Sequence, residues 1–258
     1  MNDTSNMPEL SSDTPRMSIP GLAAWLASAP GRYVLDWEER QLDAVVADIF
    51  GFNALQIGLP QGDFLRANRI PLRQKAACQG AVDVVCDAPA LPFASNSTDL
   101  VVLPHVLEFS DEPHQILREV ERILIPEGQV IVVGFNPLSL WGIKRKLDRS
   151  DEFPWNGSYL SLNRLKDWLQ LLGFEVDRGK LGCYVPPVDQ LKWLQNWRFI
   201  ENASHRWWNF SGGVYVLRAI KRTHGMRLIT PKWKTQGVRA KALRPIAQKE
   251  GQWPLKKP

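Results

Sequence analysis

Hydrophobic positions along this chain switch between two periods. Between Leu35 and Phe50 the apolar positions Leu42, Val45, Val46, Ile49 and Phe50 recur at helical spacing, and Gly51 stands where a C-terminal cap is expected. Residues 19–29 predict a shorter helix before it. Four brief runs then read as strands: Ala54–Ile57, Val82–Cys86, Leu100–Leu103 and Gln129–Gly134. The last three are rich in Val and Ile and bounded by Asp, Gly or Pro, a pattern that suits strands buried on both faces. A weaker strand is expected near Leu72–Ala76. Between the third and fourth runs Leu117, Val120 and Leu124 share one helical face. That helix is expected to begin near Ser110 or Asp111, to take Pro113 into its first turn, and to stop at Pro126-Glu127-Gly128. A basic loop, Lys144 to Lys146, leads to a helix over Leu162–Leu172, where Leu165, Trp168, Leu169 and Leu172 line one face and Gly173 caps the end. Phe174–Asp177 and Gly213–Ile220 complete the strands.

Strand, helix and buried strand in succession form a right-handed crossover in a parallel sheet. Ligands in such sheets bind beyond the carboxyl ends of the strands. Here those ends are Asp87-Ala88, Pro104-His105 and Phe135-Asn136.

Composition narrows the classes. The 258 residues suffice for one domain of about 200 with appendages. Cys78, Cys86 and Cys183 are scattered with no CxxC pair, which argues against a disulfide framework or a zinc site and fits a reducing compartment. No apolar run approaches the roughly 20 residues of a membrane span, and the polar, acidic N-terminus is unlike a signal peptide. A soluble, cytoplasmic protein is expected. The net charge of +5 conceals an asymmetry: from Lys221 onward there are 11 Lys and Arg against Glu250 alone, on an otherwise mildly acidic chain. Such a tail either solvates the protein or contacts phosphates, nucleic acid included. The division expected is a disordered N-terminus (1–17), N-terminal helices packed on the core (18–50), a main domain (51–220) with an aromatic insert (186–211), and a flexible basic tail (221–258).

The order of strand and glycine loop, DAPALPF, strand and PHVLEF, helix LREVERILIPEG, strand VIVVGFNP and LLGFEV resembles the class I S-adenosylmethionine-dependent methyltransferases, of the subgroup called methyltransferase type 11. The resemblance covers about residues 50 to 220. It implies an α/β fold: a three-layer, Rossmann-like arrangement with a seven-stranded, mostly parallel sheet and an antiparallel last strand, for which Gly213–Ile220 is the candidate. It also implies S-adenosylmethionine as cofactor.

The family's first loop follows an acidic residue with Gly-x-Gly-x-Gly. The matching stretch is Gln56-Ile57-Gly58-Leu59-Pro60-Gln61-Gly62, so Gly58 and Gly62 are kept, Gln56 replaces the acid, and Pro60 replaces the middle glycine. The family also places a carboxylate after its second strand for the ribose hydroxyls. Phe64–Val82 contains no Asp or Glu, carries Arg66, Arg69, Arg73 and Lys75, and is short enough to imply an abbreviated helix. Asp63 and Asp83 are the nearest substitutes. The resemblance implies that Asp87, beside Ala88, bonds the adenine amino group, that Leu91 packs by the adenine, and that Pro104, His105 and Glu108 face cofactor and substrate. The alternative for Asp87 is a turn-forming carboxylate, though its place at a strand end, where ligands bind, favours the cofactor. His105 is either a proton acceptor or a histidine hydrogen-bonded at a strand end. Cys86 is read as core packing.

In this family the cofactor carries the reactive group, and the protein mainly aligns reactants. The aromatic insert, with Trp193 and Trp197 four apart, is either a substrate lid or packing over the domain. Three functions follow: a methyltransferase acting on a small-molecule acceptor, a catalytically inactive binding or scaffold protein of the same fold, or an RNA-associated protein held through its tail.

Overall fold

A computed structural model describes residues 21–147, 152–186 and 211–222. The expectations for residues 1–17, for nearly all of the aromatic insert with Trp193 and Trp197, and for the tail beyond Arg222 fall outside these residues.

Seven strands form one sheet: β1 (Asn53–Ile57), β2 (Leu72–Ala77), β3 (Val84–Val85), β4 (Thr98–Pro104), β5 (Leu124–Phe135), β6 (Phe174–Gly182) and β7 (Val214–Lys221). Their order is β3-β2-β1-β4-β5-β7-β6. β7 runs antiparallel to both of its neighbours, and the remaining pairings are parallel. β4 and the second half of β5 are buried on both faces, as their uninterrupted Val and Leu runs require. The Val82–Cys86 run departs from that expectation. Only Val84–Val85 pairs, at the sheet edge, with Val85 71% exposed. An edge strand covered on one side needs fewer apolar positions than its composition supplies.

The helices are α1 (Leu22–Ala27), α2 (Ala29–Val46), α3 (Pro113–Ile123), α4 (Leu140–Leu147) and α5 (Leu162–Leu171). α1 and α2 meet at Ser28, whose hydroxyl oxygen accepts the Gly31 N–H at 3.3 Å and caps α2. A β-carbon on Gly31 would lie 2.0 Å from the Trp25 carbonyl oxygen, so glycine allows the tight corner. α2 therefore starts six residues before the predicted Leu35. It ends at Val46, too early for Gly51 to cap it. Asn68 takes over that role: its amide donates to the carbonyls of Val46 (2.5 Å) and Ile49 (3.1 Å).

α3 stops at Ile123, and Leu124 already pairs with Thr98. Pro126-Glu127-Gly128 is an irregularity inside β5, with Glu127 at φ 65°, and does not terminate the helix. Lys144, Arg145 and Lys146 form the last turn of α4, where cations meet the negative end of the helix dipole; they are not in a loop. α5 follows its prediction closely and ends at Gly173, φ 83°, and Ser161 caps its start. Lys221 belongs to the fold and not to a tail. Its ammonium donates to the carbonyls of Glu121 (2.6 Å) and Leu124 (2.9 Å), closing the C-terminus of α3.

Two contacts explain why the central sequence block holds together. Asp99, opening β4, accepts the N–H groups of Phe52 and Asn53, each at 2.9 Å, and so stitches the start of β1 to β4. Arg122 of α3 donates to the carbonyls of Leu91 (2.9 Å) and Phe93 (2.8 Å), while Glu119 accepts the Leu91 N–H at 3.0 Å. The LPF segment is thus clamped by the helix that follows it.

Between β1 and β2 no helix forms; residues 58–71 are turns that drive Phe64, Leu65 and Ile70 into the core. The basic character of this segment is absorbed locally. Arg66 pairs with Glu39 and Asp43 of α2, each at 2.7 Å, and Arg73 donates to the carbonyls of Leu65, Arg66 and Asn68.

Candidate functional site

The chain passes outward from β1 to β2 and β3, then returns to place β4 on the other side of β1. This reversal leaves a crevice above the carboxyl ends of β1 and β4. A cavity of about 460 Å³ lies there. Its walls come from the end of β1 and its loop (Ile57–Gln61), the end of β2 and its turn (Ala77–Gly80), Cys86 and Ala88 after β3, Pro104 and Val106 around the end of β4, and Gly21, Leu22 and Ala24 at α1. The size lies within the range of small-molecule sites.

The first loop departs from the Gly-x-Gly-x-Gly pattern in sequence but builds a closed turn. Gln56, completely buried, donates its amide to the carbonyls of Gly58 (3.3 Å), Leu59 (3.1 Å) and Gly62 (3.2 Å) and accepts the Phe64 N–H at 3.0 Å. A side chain with both a donor and an acceptor is needed for that set. Gly58 has φ 81°, and a β-carbon there would come within 2.6 Å of a Val106 methyl. Pro60, in the place of the middle glycine, finds room because Gly80 faces it. A β-carbon on Gly80 would stand 2.8 Å from the proline ring.

Of the expected cofactor residues, Gly58, Ala88 and Pro104 line the cavity. Gln56 and Gly62 lie behind it and shape the loop. Leu91 is buried in the core, fixed to α3 through both backbone groups. Asp87 is exposed between two lining residues, and Cys78 Sγ lies 3.7 Å from its Oδ1. Neither proposed substitute for the ribose carboxylate reaches the cavity: Asp63 accepts the Leu65 N–H and Asp83 accepts that of Lys75. Gln79 stands there instead. Cys86 packs against the core, as expected, but it follows β3 rather than sitting inside a strand, and it also lines the cavity. Burial, with Cys78 and Asp87 nearby, pushes its thiol up to about 11, so it stays protonated near neutral pH.

Of the two readings of His105, the geometry matches the histidine hydrogen-bonded at a strand end. Its Nδ1 lies 2.8 Å from Glu108 Oε2 and its Nε2 lies 2.6 Å from Glu38 Oε1, with all three side chains buried. Burial alone would lower its pKa, but Glu38 and then Glu108 outweigh that and push it up to about 10. At neutral pH it is an imidazolium donating from both nitrogens, with no lone pair for a substrate proton. Glu108 also accepts the Phe135 N–H, and the Phe135 ring lies 4.4 Å from the imidazole. The cluster holds His105 at φ 53° and so fixes Pro104 and Val106, its neighbours on the cavity wall. It also binds α2 to β4 and β5. Glu38 was legible as an anomaly in the sequence: it sits at i+4 from Val34 and i−4 from Leu42, on the apolar face of its helix. No such signal marked Gly21, Leu22 or Ala24.

Residues 64–132 match the family model described as a methyltransferase domain. The chain is 36% identical over 141 residues to the uncharacterized protein YafS of Escherichia coli K12, covering 54% of this chain and 59% of that one. It is 36% identical over 76 residues to the ubiquinone/menaquinone biosynthesis C-methyltransferase UbiE of Desulfotalea psychrophila, covering 30% and 31%. The chain thus spans less than two thirds of either relative. Among solved structures, it is similar to a SAM-dependent methyltransferase of Thermotoga maritima, with TM-score 0.58 and 18% identity over 78% of this chain and 94% of that one. It is also similar to a chain in the complex of the Haloferax volcanii Trm112 methyltransferase activator with a methyltransferase, with TM-score 0.57 and 18% identity over 81% and 99%. Sheet order, the antiparallel β7 and the match over residues 64–132 agree: the chain has the Rossmann-like fold of those methyltransferase structures, and its central block matches the methyltransferase-domain model.

Proposed function

We propose that the cavity binds S-adenosylmethionine and that the protein transfers its methyl group to a small-molecule acceptor. The observation carrying this reading is the cavity at the strand-order reversal, closed on one side by a glycine turn that a β-carbon at Gly58 would fill. Gly58, Gln79, Ala88 and Pro104, which line the cavity, would hold the cofactor, with Asp87 beside them for the adenine amino group. Gln56 and Gly62 set the shape of the loop. When bound, the cofactor would supply a methyl group already activated by its positive sulfur.

The residues' own contribution is alignment and exclusion of water. The lining contains no Asp, Glu, His, Lys or Arg, and the Cys86 thiol stays protonated. An acceptor that needs deprotonation therefore loses its proton outside the described lining. Calorimetric titration with S-adenosylmethionine and S-adenosylhomocysteine tests the reading. Binding of both is expected; no heat at millimolar ligand would refute it.

A second reading, a binding module of the same fold without turnover, draws support from Gln79 in the place of a ribose carboxylate. It predicts cofactor binding with no S-adenosylhomocysteine released in the presence of a small-molecule extract. An RNA association would rest on residues beyond Arg222.

A further inference from the structure

α4 is attached to the domain by one narrow face. Trp141 is buried and donates its ring N–H to the Val185 carbonyl at 2.9 Å. Gly142 presses on the preceding turn so closely that a β-carbon would lie 2.2 Å from the Pro137 carbonyl oxygen. The turn before the helix is itself fixed: the Asn136 amide donates to the Gly212 carbonyl at 3.0 Å, and its side-chain oxygen accepts the Leu138 N–H at 3.0 Å. Away from this attachment the helix shows large apolar side chains to solvent: Leu138 (74% exposed), Leu140 (41%), Ile143 (53%) and Leu147 (79%).

At about 100° per residue, Leu140, Ile143 and Leu147 fall in an arc of roughly 60°, with Lys144 on one side of it and Lys146 on the other. The helix contains no acidic residue. Lys144 lies over the Trp155 ring at 4.7 Å, which directs its stem along the surface. An apolar stripe edged by lysines is the pattern of a helix that lies in a membrane interface, with leucines among the acyl chains and ammonium groups at anionic headgroups.

We infer that α4 and Leu138 dock this protein on an anionic lipid bilayer. Charge selects this occupant over others. A second copy meeting the same face across a two-fold axis would oppose lysine to lysine. Residues 187–210 of this chain, though aromatic, carry three Lys or Arg against two acids and do not complement a basic helix. Nucleic acid would take the lysines but leave the leucines in water. The attachment is peripheral, since no described helix is long and apolar enough to cross a membrane. α4 follows the carboxyl end of β5, so docking turns the cavity side of the sheet toward the bilayer.

The test is co-sedimentation of the full chain with vesicles of phosphatidylcholine alone and of phosphatidylcholine mixed with phosphatidylglycerol. Binding is expected to the mixed vesicles and to weaken as salt rises. Lys144→Gln with Lys146→Gln should reduce partitioning about 30-fold, at roughly one unit of surface attraction per cation. Leu140→Ser, Ile143→Ser and Leu147→Ser together should abolish it while leaving the melting temperature and S-adenosylhomocysteine binding in place. Failure to bind either vesicle, or undiminished binding by the leucine variant, overturns the inference. The second result would assign lipid contact to the basic tail. So would a concentration-dependent dimer in sedimentation velocity that the leucine variant abolishes, because the face would then belong to a second copy. The S-adenosylhomocysteine titration is read separately, so loss of one activity does not mimic loss of the other.

Discussion

Replacing Gln56 with glutamate restores the family's acidic residue, yet here it should weaken the loop. The amide of Gln56 donates to three carbonyl oxygens at 3.1–3.3 Å, and only its oxygen accepts. A carboxylate keeps the Phe64 contact and loses every donor. It leaves up to three buried carbonyls unpaired and brings a negative charge against their oxygens. One such loss costs about 1–3 kcal/mol, and a buried charge adds to it. We therefore expect Gln56→Glu to lose about 3 kcal/mol of unfolding free energy at pH 8. A thioether or hydrocarbon cannot relieve this, but a proton can. Burial and the facing carbonyls raise the new carboxyl's folded pKa above its unfolded value of about 4.3. A group raised in this way destabilises at high pH, and the deficit shrinks as pH falls toward 5. Urea unfolding followed by tryptophan fluorescence at pH 8 and pH 5.5 measures both effects, with Gln56→Ala as the uncharged control. Equal stability of Gln56→Glu and wild type at pH 8 would refute the hydrogen-bond argument. So would tighter S-adenosylhomocysteine binding by the variant.

Other outcomes follow from the same contacts. Because His105 is raised to about 10 from its ordinary 6.5, its contribution to stability is complete below about pH 6.5 and is lost as pH rises through 10. The slope should be at most about 1.4 kcal/mol per pH unit. His105→Gln should flatten that part of the stability–pH curve, and a variant with an unchanged slope would count against the imidazolium. Lys221→Met leaves the carbonyls of Glu121 and Leu124 without their donor and should cost about 2 kcal/mol, read as a lower melting temperature. Asp87→Ala should weaken S-adenosylhomocysteine binding about tenfold in calorimetry without changing stability; unaltered affinity would remove Asp87 from the adenine site.

What the sequence disclosed depended on the scale of each interaction. β4, the second half of β5 and α5 were readable because period and capping are local signals, and Val-Val runs, or the Leu165–Leu172 face closed by Gly173, state them directly. The ends of α2 and α3 were not. Asn68 closes α2 from 22 residues away, and Leu124 leaves its helix because Thr98 offers it a strand partner. The site divides in the same way. Gly58 and Ala88 are legible from their motifs. The departures at Gln56 and Pro60 looked like losses, whereas each has a partner elsewhere: the loop carbonyls for one and Gly80 for the other. His105 was visible as a residue but not as a cation. Its state is set by Glu38, 67 positions earlier, which only the packing of α2 brings to it.

The position of β7 has a consequence for how this chain comes to be folded during synthesis. Among the described strands, β6 pairs only with β7, and β5 reaches β6 only through it. Until residues 214–221 leave the ribosome, Phe174–Gly182 has no strand to join and the outer edge of β5 stays open. A nascent chain thus carries two unpaired edges for the time needed to make the intervening residues, an opportunity for misassociation. The same geometry makes a stop just before Val214 far more damaging than one just after Arg222. The first removes β7 and isolates β6, leaving five paired strands, and the second leaves all seven paired.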